Sequence, residues 1–117
     1  MCRWVDESSA YLKQVQHSPL KVMKLSRSII GMDVDKCLNF LTFSNLKIAP
    51  VLRSLIYSAV SNAEYNHEMD VDSLVVSRID VMKAPVLKRF ATRARGRSSR
   101  ILKRPSSIRV CLTEKQE

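Results

Sequence analysis

Glycine is almost missing: Gly31 and Gly96 are the only two in 117 residues. Isolated glycines build no phosphate-cradling loop, which needs several within a few positions. Cys2, Cys37 and Cys111 are odd in number and far apart, so they fit neither a disulfide framework nor a zinc spacing. A reduced compartment is the expectation. Neither histidine, His17 or His67, sits in a cysteine or carboxylate pattern that reads as a metal site or a triad. Asp33 and Asp35 imitate the start of a calcium loop, but the later ligands and the glycine are missing. Glu64, Glu68, Asp70 and Asp72 gather at a helix end and a turn, where a solvated surface is the simpler reading than acid–base chemistry. No enzyme, cofactor, metal or small-molecule substrate is expected. No apolar run approaches the ~20 residues of a membrane span, and residues 1–7 lack the apolar core of a secretory signal.

The most informative absence is of acid. Residues 83–109 contain no Asp or Glu, and they carry ten Lys/Arg. Residues 1–82 balance nine Lys/Arg against nine Asp/Glu, and the last eight residues add Lys115 against Glu114 and Glu117. The net charge of +9 therefore resides on one segment. Ten cations this close repel one another, so they stay solvated or meet a polyanion. Arg outnumbers Lys there by seven to three. Its planar fork matches phosphate oxygens and stacks on bases, which favours nucleic acid over mere solubility. If all ten cations neutralised phosphates, affinity would fall with salt at a log–log slope of roughly −7 to −9, an upper bound. A solvated basic arm that binds any anion weakly is the competing reading.

Periodicity supplies the elements. Residues 10–16 alternate imperfectly and suggest a short strand after an extension at 1–9. Ser18 and Pro19 suit a helix start; Val22, Leu25 and Ile29 then fall on one face, and Gly31 can end the helix in the left-handed conformation. Asp33 caps a second helix to about Phe43, with Val34, Cys37 or Leu38, and Leu41 on its apolar stripe. Cys37 reads as a core residue. A third helix is expected from Ser44–Asn45 to about Asn66, carrying Leu52, Leu55, Ile56, Ala59, Val60 and Ala63 on its apolar face. Pro50 requires either a later start or a distorted first turn. Ala59 and Ala63, with Ser58 and Ser61, would let another element approach closely. Residues 74–82 form a strand whose apolar phase shifts between Val76 and Ile79, as a bulge would cause. Lys83-Ala84-Pro85 interrupts the ladder. Ile108, Val110 and Leu112 give a returning strand with one apolar face.

The expected fold class is α+β: three helices on a small three-stranded antiparallel sheet, in the order strand, three helices, two strands. A chain of this length is one domain. Its body spans 10–82 with 106–113 as the last strand, and 114–117 is a tail. The connection at 83–105 is too long for a structureless loop in a compact domain. An extended basic β-hairpin with Gly96 near its tip resolves this.

The wording of the basic stretch goes further. Arg93-Ala94-Arg95-Gly96-Arg97, followed by Arg100-Ile101-Leu102-Lys103-Arg104, resembles the signature of the large-subunit ribosomal protein twenty-two family. Lys21-Val22 with Ile30-Gly31 is similar to that family's first-helix pattern. Ser61-Asn62-Ala63-Glu64-Tyr65-Asn66 is similar to its A-x-A-N-A-E-H-N box. The resemblance covers about residues 9–113. It implies a structural protein of the large ribosomal subunit, in the cytoplasm, that binds large-subunit rRNA, assists early assembly and lines the peptide exit tunnel. Neighbouring large-subunit proteins and the nascent polypeptide are the other implied partners. Implied rRNA contacts are Lys21, Lys24, Arg27, Lys83, Lys88, Arg89, Arg93, Arg95, Arg97, Arg100, Lys103, Arg104 and Arg109. The implied tunnel-lining residues are Leu87, Lys88, Arg89, Phe90, Ala91, Thr92, Arg93, Ala94, Arg95 and Gly96.

This chain departs from the family pattern at Pro105 and Ser107, where Thr and His are usual, and at Ala91-Thr92, in place of a common Met-Pro pair. A free RNA- or DNA-binding protein with a flexible basic arm is the alternative. Phe90, the one aromatic in the basic stretch, supplies little of the stacking platform that single-strand binders use.

Overall fold

A computed structural model describes residues 7–66, 68 and 70–114. Cys2, Trp4 and His67 lie outside the described residues. The architecture is α+β, in the order β1 (Glu7–Val15), α1 (Pro19–Ile29), α2 (Val34–Phe43), α3 (Ala49–Asn66), β2 (Leu74–Lys83), β3 (Leu87–Thr92), β4 (Ser98–Lys103) and β5 (Ser106–Glu114). Single 3-10 turns at Val71–Ser73 and Ala94–Gly96 complete it.

β1, β5 and β2 form one antiparallel sheet in that order, so the last strand of the chain is the central one. Its burial fits that place, since Ser106, Ser107 and Cys111 are buried as well as its apolar face. Ile108, Val110 and Leu112 are wholly buried against the helices, where they join Val22, Leu25, Ile29, Val34, Cys37, Leu41, Leu52, Ile56, Ala59 and Ala63 in one core. Burial also pushes the Cys37 thiol up to about 11, which leaves it a neutral packing group at physiological pH. The bulge in β2 lies where the phase shift put it: register jumps between Val76 and Arg78, and the intervening Ser77 donates its hydroxyl to the Cys111 carbonyl at 3.1 Å.

Two element starts differ from expectation. β1 begins at Glu7, so residues 7–9 belong to the sheet and are not an extension. Glu7, Ser8 and Ser9 pair with Thr113, Leu112 and Cys111. Ser8 is fully buried, and its hydroxyl donates to the Ala59 carbonyl at 2.8 Å; Asn62 Nδ2 donates to the Ser9 carbonyl at 2.9 Å. The small side chain of Ala59 permits this approach. The broken alternation further along β1 is itself a bulge between Leu12 and Val15, with Gln14 at φ +55°. α3 starts at Ala49, not at Ser44–Asn45; Pro50 therefore falls in the first turn, where no backbone donor is lost.

Ser18 and Asp33 do stand at the N-caps of α1 and α2, but neither side chain makes a capping hydrogen bond. Gly31 takes φ +88° as expected. Its N–H leaves the helix and donates to the Val76 carbonyl at 2.8 Å, while Val76 N–H donates to Met32 at 3.0 Å. That left-handed residue turns the α1–α2 connection onto β2.

β2 and β5 stay paired out to Lys83 and Ser106. Ala84 N–H then donates to the Pro105 carbonyl at 3.2 Å, and pairing resumes at Leu87 and Lys103. Proline thus supplies the acceptor at a junction that asks it for no donor. Pairing at Ser106 and Ser107 is intact despite the departure from the family pattern. The β3–β4 hairpin stretches the described structure to 66 × 29 × 24 Å, with a radius of gyration of 17.4 Å. A compact domain of this length would have about 13 Å.

Candidate nucleic-acid interface

The hairpin is the charged element. Its rungs are Leu87 with Lys103, Lys88 with Leu102, Arg89 with Ile101, Phe90 with Arg100, Ala91 with Ser99 and Thr92 with Ser98. Directly paired side chains share a face. One face therefore presents Leu87, Arg89 and Ala91 with Lys103, Ile101 and Ser99. The other presents Lys88, Phe90 and Thr92 with Leu102, Arg100 and Ser98. Each of the four rungs nearest the body sets one cation against one large apolar group, and no rung opposes two cations. Like charges directly opposite would destabilise the ladder, so this offset lets a strongly cationic sequence pair at all.

The tip turns through Arg95 at φ +60° and Gly96 at φ +73°. It is closed by Arg93 N–H to the Arg97 carbonyl at 2.6 Å. Arg93 Nε donates to Ser99 Oγ at 3.1 Å, which steadies one guanidinium, while Arg95 and Arg97 stand exposed. The two ion pairs among the described residues, Lys36 with Asp33 and Arg78 with Asp80, both belong to the body. No hairpin cation is ion-paired among the described residues.

Apolar groups are exposed among these cations: Leu87 at 37%, Phe90 at 73%, Ile101 at 42% and Leu102 at 43%. At the base, Leu102, Lys103 and Arg104 share a groove of about 490 Å³ with Gln16 and Ser18, at the start of α1.

The sequence profile of the Ribosomal protein L22p/L17e family matches residues 10–113, which include the whole hairpin and the body strands that carry it. The chain belongs to that family. It is similar to the large ribosomal subunit protein uL22 of Phenylobacterium zucineum (strain HLK1), at 44% identity over 111 residues, covering 95% of this chain and 88% of the relative. It is likewise similar to the large ribosomal subunit protein uL22 of Caulobacter vibrioides (strain ATCC 19089 / CIP 103742 / CB 15), at 43% identity over 108 residues, covering 92% and 86%.

Within this L22p/L17e chain, the structure gathers Lys88, Arg89, Arg93, Arg95, Arg97, Arg100 and Lys103 on the hairpin, with Arg104 at its base. Lys83 is exposed at the end of β2. Lys21, Lys24 and Arg27 are exposed along α1, on the body. Arg109 stands apart: it is exposed on the sheet face away from the core, with Tyr11 and Asp80 as its cross-strand partners. Sequence reasoning passed over Ile101 and Leu102 as interface residues. Their signal is visible only once the register is known, because each is the rung partner of a cation. Asn62, part of the family-like box, is a clamp holding α3 to β1.

Proposed function

We propose that this chain is a structural, non-catalytic constituent of the large ribosomal subunit, located in the ribosome in the cytoplasm. Its basic hairpin binds large-subunit rRNA, promotes early subunit assembly and lines the peptide exit tunnel. One observation carries the reading: a two-stranded hairpin with seven Lys/Arg and no carboxylate over residues 87–103 projects from a body whose charges nearly balance. Such a hairpin is marginal alone in water. rRNA along it supplies the packing and the anions that it lacks. The residues assigned to rRNA are Lys88, Arg89, Arg93, Arg95, Arg97, Arg100, Lys103 and Arg104 on the hairpin and Lys83 at its root. Lys21, Lys24 and Arg27 on α1, and Arg109 on the open sheet face, are further contacts. Leu87 and the residues on to Gly96 line the tunnel, where the nascent polypeptide passes. Neighbouring large-subunit proteins complete the set of partners. No reaction is catalysed; shape and charge perform the role.

Co-sedimentation with ribosomal subunits in a salt series tests this, using the tagged full chain beside a variant lacking residues 90–100. The full chain is expected to stay with the large subunit through high-salt washes, and the variant to incorporate poorly or wash off. Release of the full chain at modest salt, with equal binding to unrelated RNA or DNA, would make the hairpin a general polyanion arm and overturn the reading.

A further inference from the structure

We propose that Phe90 is a stacking site for one unpaired base of large-subunit rRNA, with Arg100 on the same rung holding the phosphate of that nucleotide. This rests on the ribosomal reading above and, within the tunnel-lining residues 87–96, turns the Phe90 ring to rRNA in place of the lumen.

Phe90 is the only aromatic residue in the acid-free segment, and it is 73% exposed on a rung paired with Arg100. Phe43 at 83% and Tyr65 at 79% are as exposed, but they sit on helices of the charge-balanced body. The surroundings of Phe90 make a one-base step. On the body side of its face, Lys88 and Leu102 form the next rung and a taller wall; on the tip side, Thr92 and Ser98 are short and leave room for a flat ring. Among the described residues the one cation over an aromatic ring is Lys13 on Tyr11, so no described guanidinium lies over the ring of Phe90. The charge of the segment selects the occupant: with no carboxylate between residues 83 and 109, it attracts a polyanion and repels a basic peptide. Bases stack on aromatic rings whatever their sequence, because every base has a π-face. A fork donor beside the ring suits the phosphate of the stacked nucleotide.

The test measures binding of the full chain to the large-subunit rRNA of its own organism across a salt series. Wild type is compared with Phe90→Leu, Phe90→Trp and Arg100→Gln, after thermal unfolding has verified that all four bodies are equally stable. Phe90→Leu keeps apolar area but loses the ring. It is expected to weaken binding about 5- to 150-fold at every salt concentration, with an unchanged salt slope because no charge is removed. Phe90→Trp is expected to bind at least as tightly as wild type. Arg100→Gln is expected to lower the slope by roughly 0.7–0.9. Wild-type affinity in Phe90→Leu would show that the ring is only an apolar contact, or faces protein, and would sink the stacking proposal while leaving the ribosomal reading intact. Failure of the wild-type chain to bind this rRNA in preference to unrelated RNA would remove both.

Discussion

Ser8 shows how a residue with no apolar signature becomes part of the core. It is wholly buried in β1, and its hydroxyl donates to Ala59 of α3. Ser8→Ala removes that hydrogen bond but leaves the Ala59 carbonyl its place in the helix, so the loss is the net value of one bond, about 1 kcal/mol. A shift of the urea midpoint with an unchanged slope is the expected result. A stability equal to wild type would mean that the Ser8 contact contributes nothing to holding β1 against α3. The polar character of Ser8 and Ser9 hid the first part of the strand from periodicity, because what holds them lies some fifty residues away: the Ser8 and Asn62 contacts span separations of 51 and 53 residues.

At the scale of the element, the hairpin depends on two features. One is the rung offset that places each strand cation opposite an apolar group. The other is the tip, where Arg95 and Gly96 both take positive φ. A Cβ at Gly96 would meet nothing within 4 Å, so Gly96→Ala tests backbone conformation alone. The left-handed conformation costs a non-glycine residue roughly 1–2 kcal/mol. For a hairpin of marginal stability, that is enough to open the tip. Amide hydrogen exchange at Arg93, whose N–H is bound to Arg97, is expected to accelerate in Gly96→Ala, while exchange in β5 stays unchanged. Equal protection of Arg93 in both proteins would show that the tip tolerates the side chain without strain.

At the scale of the whole molecule, the protein is a neutral body with a cationic rod. The body has its own core, and no hairpin residue belongs to it. Deleting residues 90–100 is therefore expected to leave the melting temperature of the body within a degree or two, and to reduce the radius of gyration in small-angle scattering from the extended value toward the roughly 13 Å of a compact chain. A large fall in melting temperature would show that the hairpin supports the body, contrary to the separation of their contacts. This division of labour explains how one domain can carry such a concentration of like charge. The repulsion is confined to an element whose loss the core does not register.

Much of this was legible in one dimension. Local periodicity placed the buried faces of α1, α2 and α3, the phase shift placed the β2 bulge, and the lack of acid over residues 83–109 marked the charged element. Those signals depend on neighbours along the chain, so the chain alone determines them. The motif around Arg93 and Arg97 determined the family in the same way. What the sequence left open was every partnership across distance. The central place of β5, the strand character of residues 7–9, the reach of Gly31 to Val76 and the start of α3 at Ala49 were decided by tertiary structure. So was the register that pairs Phe90 with Arg100 and Arg89 with Ile101. The physical reason is common to these: a backbone group or side chain accepts whatever partner the packed core brings within about 3 Å, and that partner leaves no mark in the residues beside it.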